Sequence, residues 1–140
     1  WPNTPRLDKA QKYISYAILI IAIVVLIFNY DKAYTALNCG YAIVLLSLQL
    51  FVVKGAYMGK FYRFYFWHLI PFFIVNGILT GTGIDQEVVW YNNTENLGIR
   101  MGTIPVEDSL YSLSLMLMNI TILEYLKSRF KKHNQIPIVA

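Results

Sequence analysis

From Ile14 to Phe28 the chain reads ISYAILIIAIVVLIF, fifteen residues without a charge, a glycine or a proline. Three more apolar stretches follow, so that four predicted spans cover roughly 13–29, 34–53, 61–80 and 104–126. Each is close to the roughly 20 residues that a helix needs to cross about 30 Å of hydrocarbon. Water is missing there, and backbone N–H and C=O groups must find partners inside the segment, which a helix provides. The sequence therefore predicts an all-α integral membrane protein, a bundle of about four transmembrane helices. Composition agrees, because only 14% of the 140 residues are charged and 56% are hydrophobic, whereas soluble domains are about a quarter charged.

The basic residues order these spans. Arg6, Lys9 and Lys12 precede the first; Lys54, Lys60 and Arg63 lie between the second and third; Lys127, Arg129, Lys131 and Lys132 follow the fourth. Only Lys32 and Arg100 fall on the other side. The bias of lysine and arginine toward the cytoplasm then places both termini inside, in a multi-pass protein of the cell inner membrane. The expected organisation is a cytoplasmic linker or tail at 1–12, a membrane domain at 13–126 and a basic cytoplasmic tail at 127–140. Outside lie a tight turn near NYDKAY and one long loop, roughly 81–103. Trp1 in place of a start methionine reads as a processed product or part of a longer polypeptide, and no signal-peptide pattern follows it.

Polar residues inside apolar spans ask for a reason. The single cysteine, Cys39, permits no internal disulfide and reads as a small packing residue. His68 stands three residues before Pro71, which should weaken the third helix. It can bond a neighbouring helix or line a substrate cavity; a metal would need partners, and the other histidine, His133, lies in the tail. Asn76, in the same span, suits an interhelical hydrogen bond. Thr103 is a candidate N-cap for the fourth helix, with Pro105 in its first turn.

The long loop and its exit carry the chemistry. VVWYNNTENLGIRMGTIPVED, from Val88 to Asp108, packs asparagines, three carboxylates and one arginine between two apolar spans. Glu107 and Asp108 could simply favour a helix N-terminus, worth roughly 0.3–1 kcal/mol. Neighbours on a helix point about 100° apart, so one can look into the bundle while the other meets the loop. Desolvation favours the neutral form of a carboxyl at the edge of hydrocarbon, and a neutral carboxyl is a proton donor. Arg100 or a loop amide would keep the second one ionised, and asparagine amides would orient the pair. Such a pair fits protonation of an apolar substrate, with an anion nearby for the developing cation. The chain has no phosphate loop, dinucleotide fingerprint, nucleophile elbow or metal-ligand pair. No cofactor is expected, and no nucleic-acid partner.

The combination IPFFIVNGILTG, then VVWYNNTENLGIR, then TIPVED resembles the second, C-terminal half of the heterodimeric-type lycopene β-cyclases of bacteria, archaea and fungi. The similarity covers roughly 29–125 and includes NYDKAYTAL. The resemblance implies redox-neutral cyclisation of a linear carotene, lycopene, to a β-ionone ring. It also implies a partner, the homologous first-half domain or subunit, because one Trp90-Tyr91-Asn92 loop and one Pro105-Val106-Glu107-Asp108 motif are present and the first half's proline followed by two glutamates is not. By the resemblance Glu107 and Asp108 are the acidic pair, and Asn92, Glu95, Asn96 and Arg100 the polar loop, with Trp90, Asn76 and His68 as further candidates around the substrate. The stretch PNTPRLDKAQK would be the linker joining two fused halves.

Within that expectation Glu107 donates the proton and Asp108 stabilises the cation. Two rival readings are a non-catalytic membrane subunit that binds a carotenoid or scaffolds a partner half, and a small transporter with Glu107 and His68 as a proton path. The topology itself is testable. Reporter fusions at either terminus should be active only in the cytoplasm, and a cysteine placed at Asp85 should react with a membrane-impermeant thiol reagent added outside. Labelling of that cysteine only after lysis would reverse the orientation.

Overall fold

The computed structural model describes residues 5–133, with side chains to Phe130. Four helices make up most of it: α1 (Pro5–Phe28), α2 (Ala33–Ser47), α3 (Met58–Leu79) and α4 (Glu107–His133). A π-helical segment, Leu48–Val53, prolongs α2. A hairpin of two short strands, β1 (Arg100–Met101) and β2 (Ile104–Pro105), precedes α4. The expected linker and tail reach beyond these limits, at 1–4 and 134–140, outside the described residues.

Among the described residues, three stretches are long and apolar enough to cross a membrane: Pro5–Phe28, Ala33–Val53 and Glu107–Phe130. In their most apolar windows only 17%, 33% and 22% of the residues are buried inside the protein. The apolar exterior thus exceeds what the bundle can cover, and lipid is the solvent that tolerates it. Ile20, Ile27, Leu37, Val44 and Phe51 all point outward. The third helix has the length, 22 residues, but Arg63, His68, Pro71 and Asn76 dilute its apolar character. The fold is therefore an all-α bundle of three to four long apolar helices. Pro71 lies inside α3 and does not divide it into two helices.

The helices form a ring. α1 packs on α2 and α3, and α4 packs on α2 and, more lightly, on α3. Leu19, Leu45, Leu46, Phe61, Tyr62, Tyr65, Leu113 and Leu117 meet at its centre. Cys39 is buried, as a packing residue should be. The Tyr62 hydroxyl and Ser15 Oγ lie 2.6 Å apart, tying α3 to α1 inside the core. Between α1 and α2 the chain turns tightly, with Lys32 N–H bonded to the Asn29 carbonyl. Asn29 Nδ2 donates to the Val25 carbonyl and so satisfies one open acceptor at the end of α1.

The start of α4 differs from expectation. The helix begins at Glu107, and Pro105 sits in β2, opposite Arg100. Thr103 does not cap α4; its hydroxyl meets Thr80, Thr82 and the Gly77 carbonyl at the end of α3. A proline at the end of a two-residue strand loses no ladder bond that the strand needs, while the freed threonine ties two elements together.

Close approach of α1 and α3 depends on Gly59. A Cβ there would lie 2.8 Å from the Asp8 backbone nitrogen and 2.9 Å from its Cα, and backbone cannot yield as a side chain can. Gly59→Ala should cost about 1–3 kcal/mol, the usual range for overpacking, read as a lower unfolding midpoint in detergent. Gly40→Ala, with nothing within 4 Å of the added carbon, should be neutral, and equal behaviour of the two variants would refute this account of the α1–α3 contact.

Candidate functional site

The loop between α3 and α4 is held at both ends before it reaches the carboxyls. At the α3 end, Thr80 Oγ1 donates to the Asn76 carbonyl at 2.8 Å and lies 2.6 Å from Thr103 Oγ1. At the α4 end the hairpin turns at Gly102, whose φ of 66° is a conformation glycine adopts without strain. Arg100 braces the hairpin. One guanidinium nitrogen donates to the Thr103 carbonyl and another to Asn93 Oδ1, each at 2.6 Å. The same guanidinium lies over the Tyr91 ring, 5.9 Å from its centre.

The loop then supplies what α2 lacks. No side chain from Lys32 caps that helix. Instead Glu95 Oε2 accepts from Ala33 N–H at 3.1 Å, and the Glu95 carbonyl accepts from Tyr34 and Thr35 N–H. A carboxylate at a helix N-terminus satisfies open donors and meets the positive end of the dipole. Asn96 is buried, and its Oδ1 accepts from Gly98 N–H at 2.7 Å. Asn92 makes a similar local turn with Thr94, at the surface. The asparagines thus shape the loop. Their amides do not touch either carboxyl among the described residues, contrary to the expectation that they would orient the pair.

Glu107 and Asp108 are both buried, at 4% and 2% exposure, and they face different surroundings. Asp108 is held by two phenols: Tyr34 donates to Oδ1 at 2.5 Å and Tyr91 to Oδ2 at 2.7 Å. The two rings meet edge to face, 5.6 Å apart. Burial and the bond to Asp108 push the Tyr91 phenol up to about 12, against the pull of Arg100, so it stays a donor at neutral pH. Both Asp108 oxygens are thus met by a donor, as a buried carboxyl group requires.

Glu107 is satisfied on one side only. Its Oε1 accepts from Thr35 Oγ1 at 2.8 Å and from Leu97 N–H at 2.6 Å. Its Oε2 is buried without a hydrogen-bond partner. Glu107 also lines a cavity of about 290 Å³ between α1 and α4. The other walls are mostly apolar or aromatic, with Ile18, Ala22 and Val25 from α1, Leu110 and Leu113 from α4, and Tyr65 from α3; Ser109, whose Oγ is also buried without a hydrogen-bond partner, is the polar exception. In the acid form, with Oε1 accepting both bonds, the hydroxyl is on the oxygen that has no other partner. Among the residues lining this cavity, Glu107 is the only carboxyl.

The structure therefore gathers Glu95, Asn96, Arg100, Glu107 and Asp108 at the ends of α2 and α4. It leaves Trp90 at the surface, 73% exposed, and Asn92 exposed on the loop. His68 and Asn76 do not line the cavity. His68 rests on the Phe72 ring, 5.9 Å away, and the Asn76 carbonyl serves the Thr80 cap. Three residues that hold the acidic pair were not singled out from sequence: Tyr34, Thr35 and Tyr91. Tyr91 stands inside the WYN stretch, between two residues that were. Tyr34 and Thr35 are more than seventy positions from their carboxyl partners, and no local pattern links them.

A polar loop that caps one helix and seats a half-satisfied acid on an apolar cavity can be set beside known proteins. No curated protein and no solved structure matches the chain. A family model described as lycopene cyclase matches residues 31–126, from the turn before α2 through most of α4, with the loop and both carboxyls inside. The chain belongs to the lycopene cyclase family.

Proposed function

We propose that this chain is the second, C-terminal half of a lycopene β-cyclase, and that Glu107 is its proton donor. The observation that carries the reading is a buried Glu107 that lines an apolar cavity and whose Oε2 has no hydrogen-bond partner. Family membership supplies the substrate class. The expected topology, four crossings with α3 among them and both termini in the cytoplasm, belongs to the same proposal.

The reaction balances without a cofactor. A proton from Oε2 adds to the terminal double bond of the ψ-end and leaves a tertiary cation. The neighbouring double bond closes on that cation to form the ring, which moves the positive charge to a ring carbon. Loss of a proton from the adjacent carbon gives the β-ionone ring. One proton enters and one leaves, and no electrons are exchanged. The Glu107 carboxylate, as the only carboxyl in the lining, is the base that takes the proton back. Tyr65 offers an aromatic ring to the cation. The cavity suits an end group, which leaves the rest of the polyene to the bilayer or to the homologous first half.

For Asp108 the geometry supports the expected part, stabilising the cation, exerted from outside the cavity lining. With both oxygens held by Tyr34 and Tyr91, and outside the cavity lining, it serves as a fixed negative charge behind the donor. Its field favours positive charge in a low-dielectric site, and its phenol clamp fixes the first turn of α4. Thr35 acts as a positioning residue, because it bonds the oxygen that does not deliver the proton.

Two substitutions test this. Glu107→Gln, expressed with a first half in lycopene-accumulating cells, should lower β-carotene formation by about 10² or more, the usual yield of general acid catalysis. Undiminished β-carotene at equal protein level would remove Glu107 from the chemistry. Thr35→Val should slow cyclisation by about tenfold, one charge-assisted hydrogen bond, and Thr35→Ser should restore it. Full activity in Thr35→Val would show that the bond to Oε1 does not position the acid.

A further inference from the structure

The end of the bundle opposite the carboxyls holds a second cavity, of about 260 Å³ and of different character. Gln11, Lys12 and Ser15 line it from α1, and Gln49, Lys54 and Gly55 from the α2–α3 junction. Gln49 is 3% exposed. Its Nε2 donates to the Tyr57 hydroxyl at 2.7 Å and to Thr121, so the amide is fixed, while its Oε1 is buried without a partner. Gln11 Oε1 is also buried without a partner. Two acceptors in one cavity lining thus lack a donor, which is uncommon for buried polar atoms.

The backbone is arranged around the same spot. The π-helical segment ends at Lys54, a lysine in the left-handed region at φ 49°. Its N–H bonds the Gln49 carbonyl at 2.8 Å, which keeps Lys54 next to the amide. Non-glycine residues in that region carry a steric cost. Gly55 leaves space, since a Cβ there would come within 3.0 Å of Gln49 Oε1. Lys12 and Lys54 bring two positive charges to the cavity, and Lys60 follows at the start of α3.

The two features together define a ligand. The lysines call for an anion, and the amide oxygens for an N–H or O–H. We infer that this cavity binds a phospholipid headgroup that carries its own hydrogen-bond donor, with the phosphate toward Lys12 and Lys54 and the ammonium or hydroxyl end on Gln11 and Gln49. Phosphatidylethanolamine and phosphatidylglycerol have such donors; the quaternary ammonium of phosphatidylcholine has none. Basic pockets between helices at headgroup depth are suited to this task, and the site is at the basic end of the bundle, away from the proposed chemistry.

The test uses the full chain in detergent with an equal mixture of phosphatidylethanolamine, phosphatidylglycerol and phosphatidylcholine, and native mass spectrometry of what stays bound. The first two should be retained over phosphatidylcholine by about fivefold, a shift of the size expected for one or two hydrogen bonds. Gln49→Leu should erase the preference. The double variant Lys12→Ala/Lys54→Gly, which keeps a residue at position 54 that tolerates the backbone, should lower retention of all three, and it reads out the site even if Gln49→Leu fails to fold. Equal retention of the three lipids by the unmodified chain would overturn the proposal. So would full displacement of the lipid by millimolar inorganic phosphate, which would make the site one for the free anion.

Discussion

Two neighbouring carboxyls are buried where α4 begins, and much of the polar architecture exists to receive them. In water such groups need no arrangement. At the edge of hydrocarbon each oxygen must be met by a donor or held neutral. Asp108 takes the first course, through Tyr34 and Tyr91. Glu107 takes it for one oxygen and leaves the other without a partner, in a residue that lines an apolar cavity. That asymmetry between adjacent residues follows from the helix itself, which turns them about 100° apart.

The same constraint explains the long loop. It must place Leu97 N–H on Glu107 and the Tyr91 hydroxyl on Asp108, and it must also close the open end of α2 with Glu95. One segment therefore joins the N-terminal ends of α2 and α4, with the threonine cluster at the end of α3 as its anchor. Among the described residues Arg100 does not bond a carboxylate. It holds the hairpin and the Tyr91 ring, and so reaches Asp108 through a phenol. A charge in the loop thus supports the site at one remove, a role that its position in sequence does not reveal.

The opposite end of the bundle follows another logic. There the polar groups are amides and lysines, and two amide oxygens are left open. The bundle thus has an apolar cavity with one acid near one end and a polar cavity with basic residues near the other. A membrane supplies partners of both kinds: hydrocarbon at its centre, and phosphate with donor groups at its surface.

Much of the fold was legible in the chain because long apolar runs leave few alternatives. Helices near 13–29, 34–53 and 61–80 correspond to α1, α2 with its π-helical extension, and α3, each shifted by a few residues or begun earlier in polar sequence. The acidic pair was legible too, since carboxyls beside an apolar span are costly and invite explanation. The start of α4 was not legible, because Thr103 and Pro105 obey helix-start rules equally well in a hairpin, and only the pairing with Arg100 and Met101 decides between them. His68, Asn76 and Trp90 stand out by type, yet none of them is in the lining of the cavity beside Glu107. What the sequence determined by itself is a membrane bundle with a polar loop and two acids at one span's entrance, because hydropathy and charge are local quantities. Which acid has a free oxygen, and which tyrosines and threonine hold the pair, was decided by tertiary structure alone, because Tyr34 and Thr35 reach α4 from α2 across more than seventy positions and Tyr91 reaches it from a loop that only the fold lays over the start of α4.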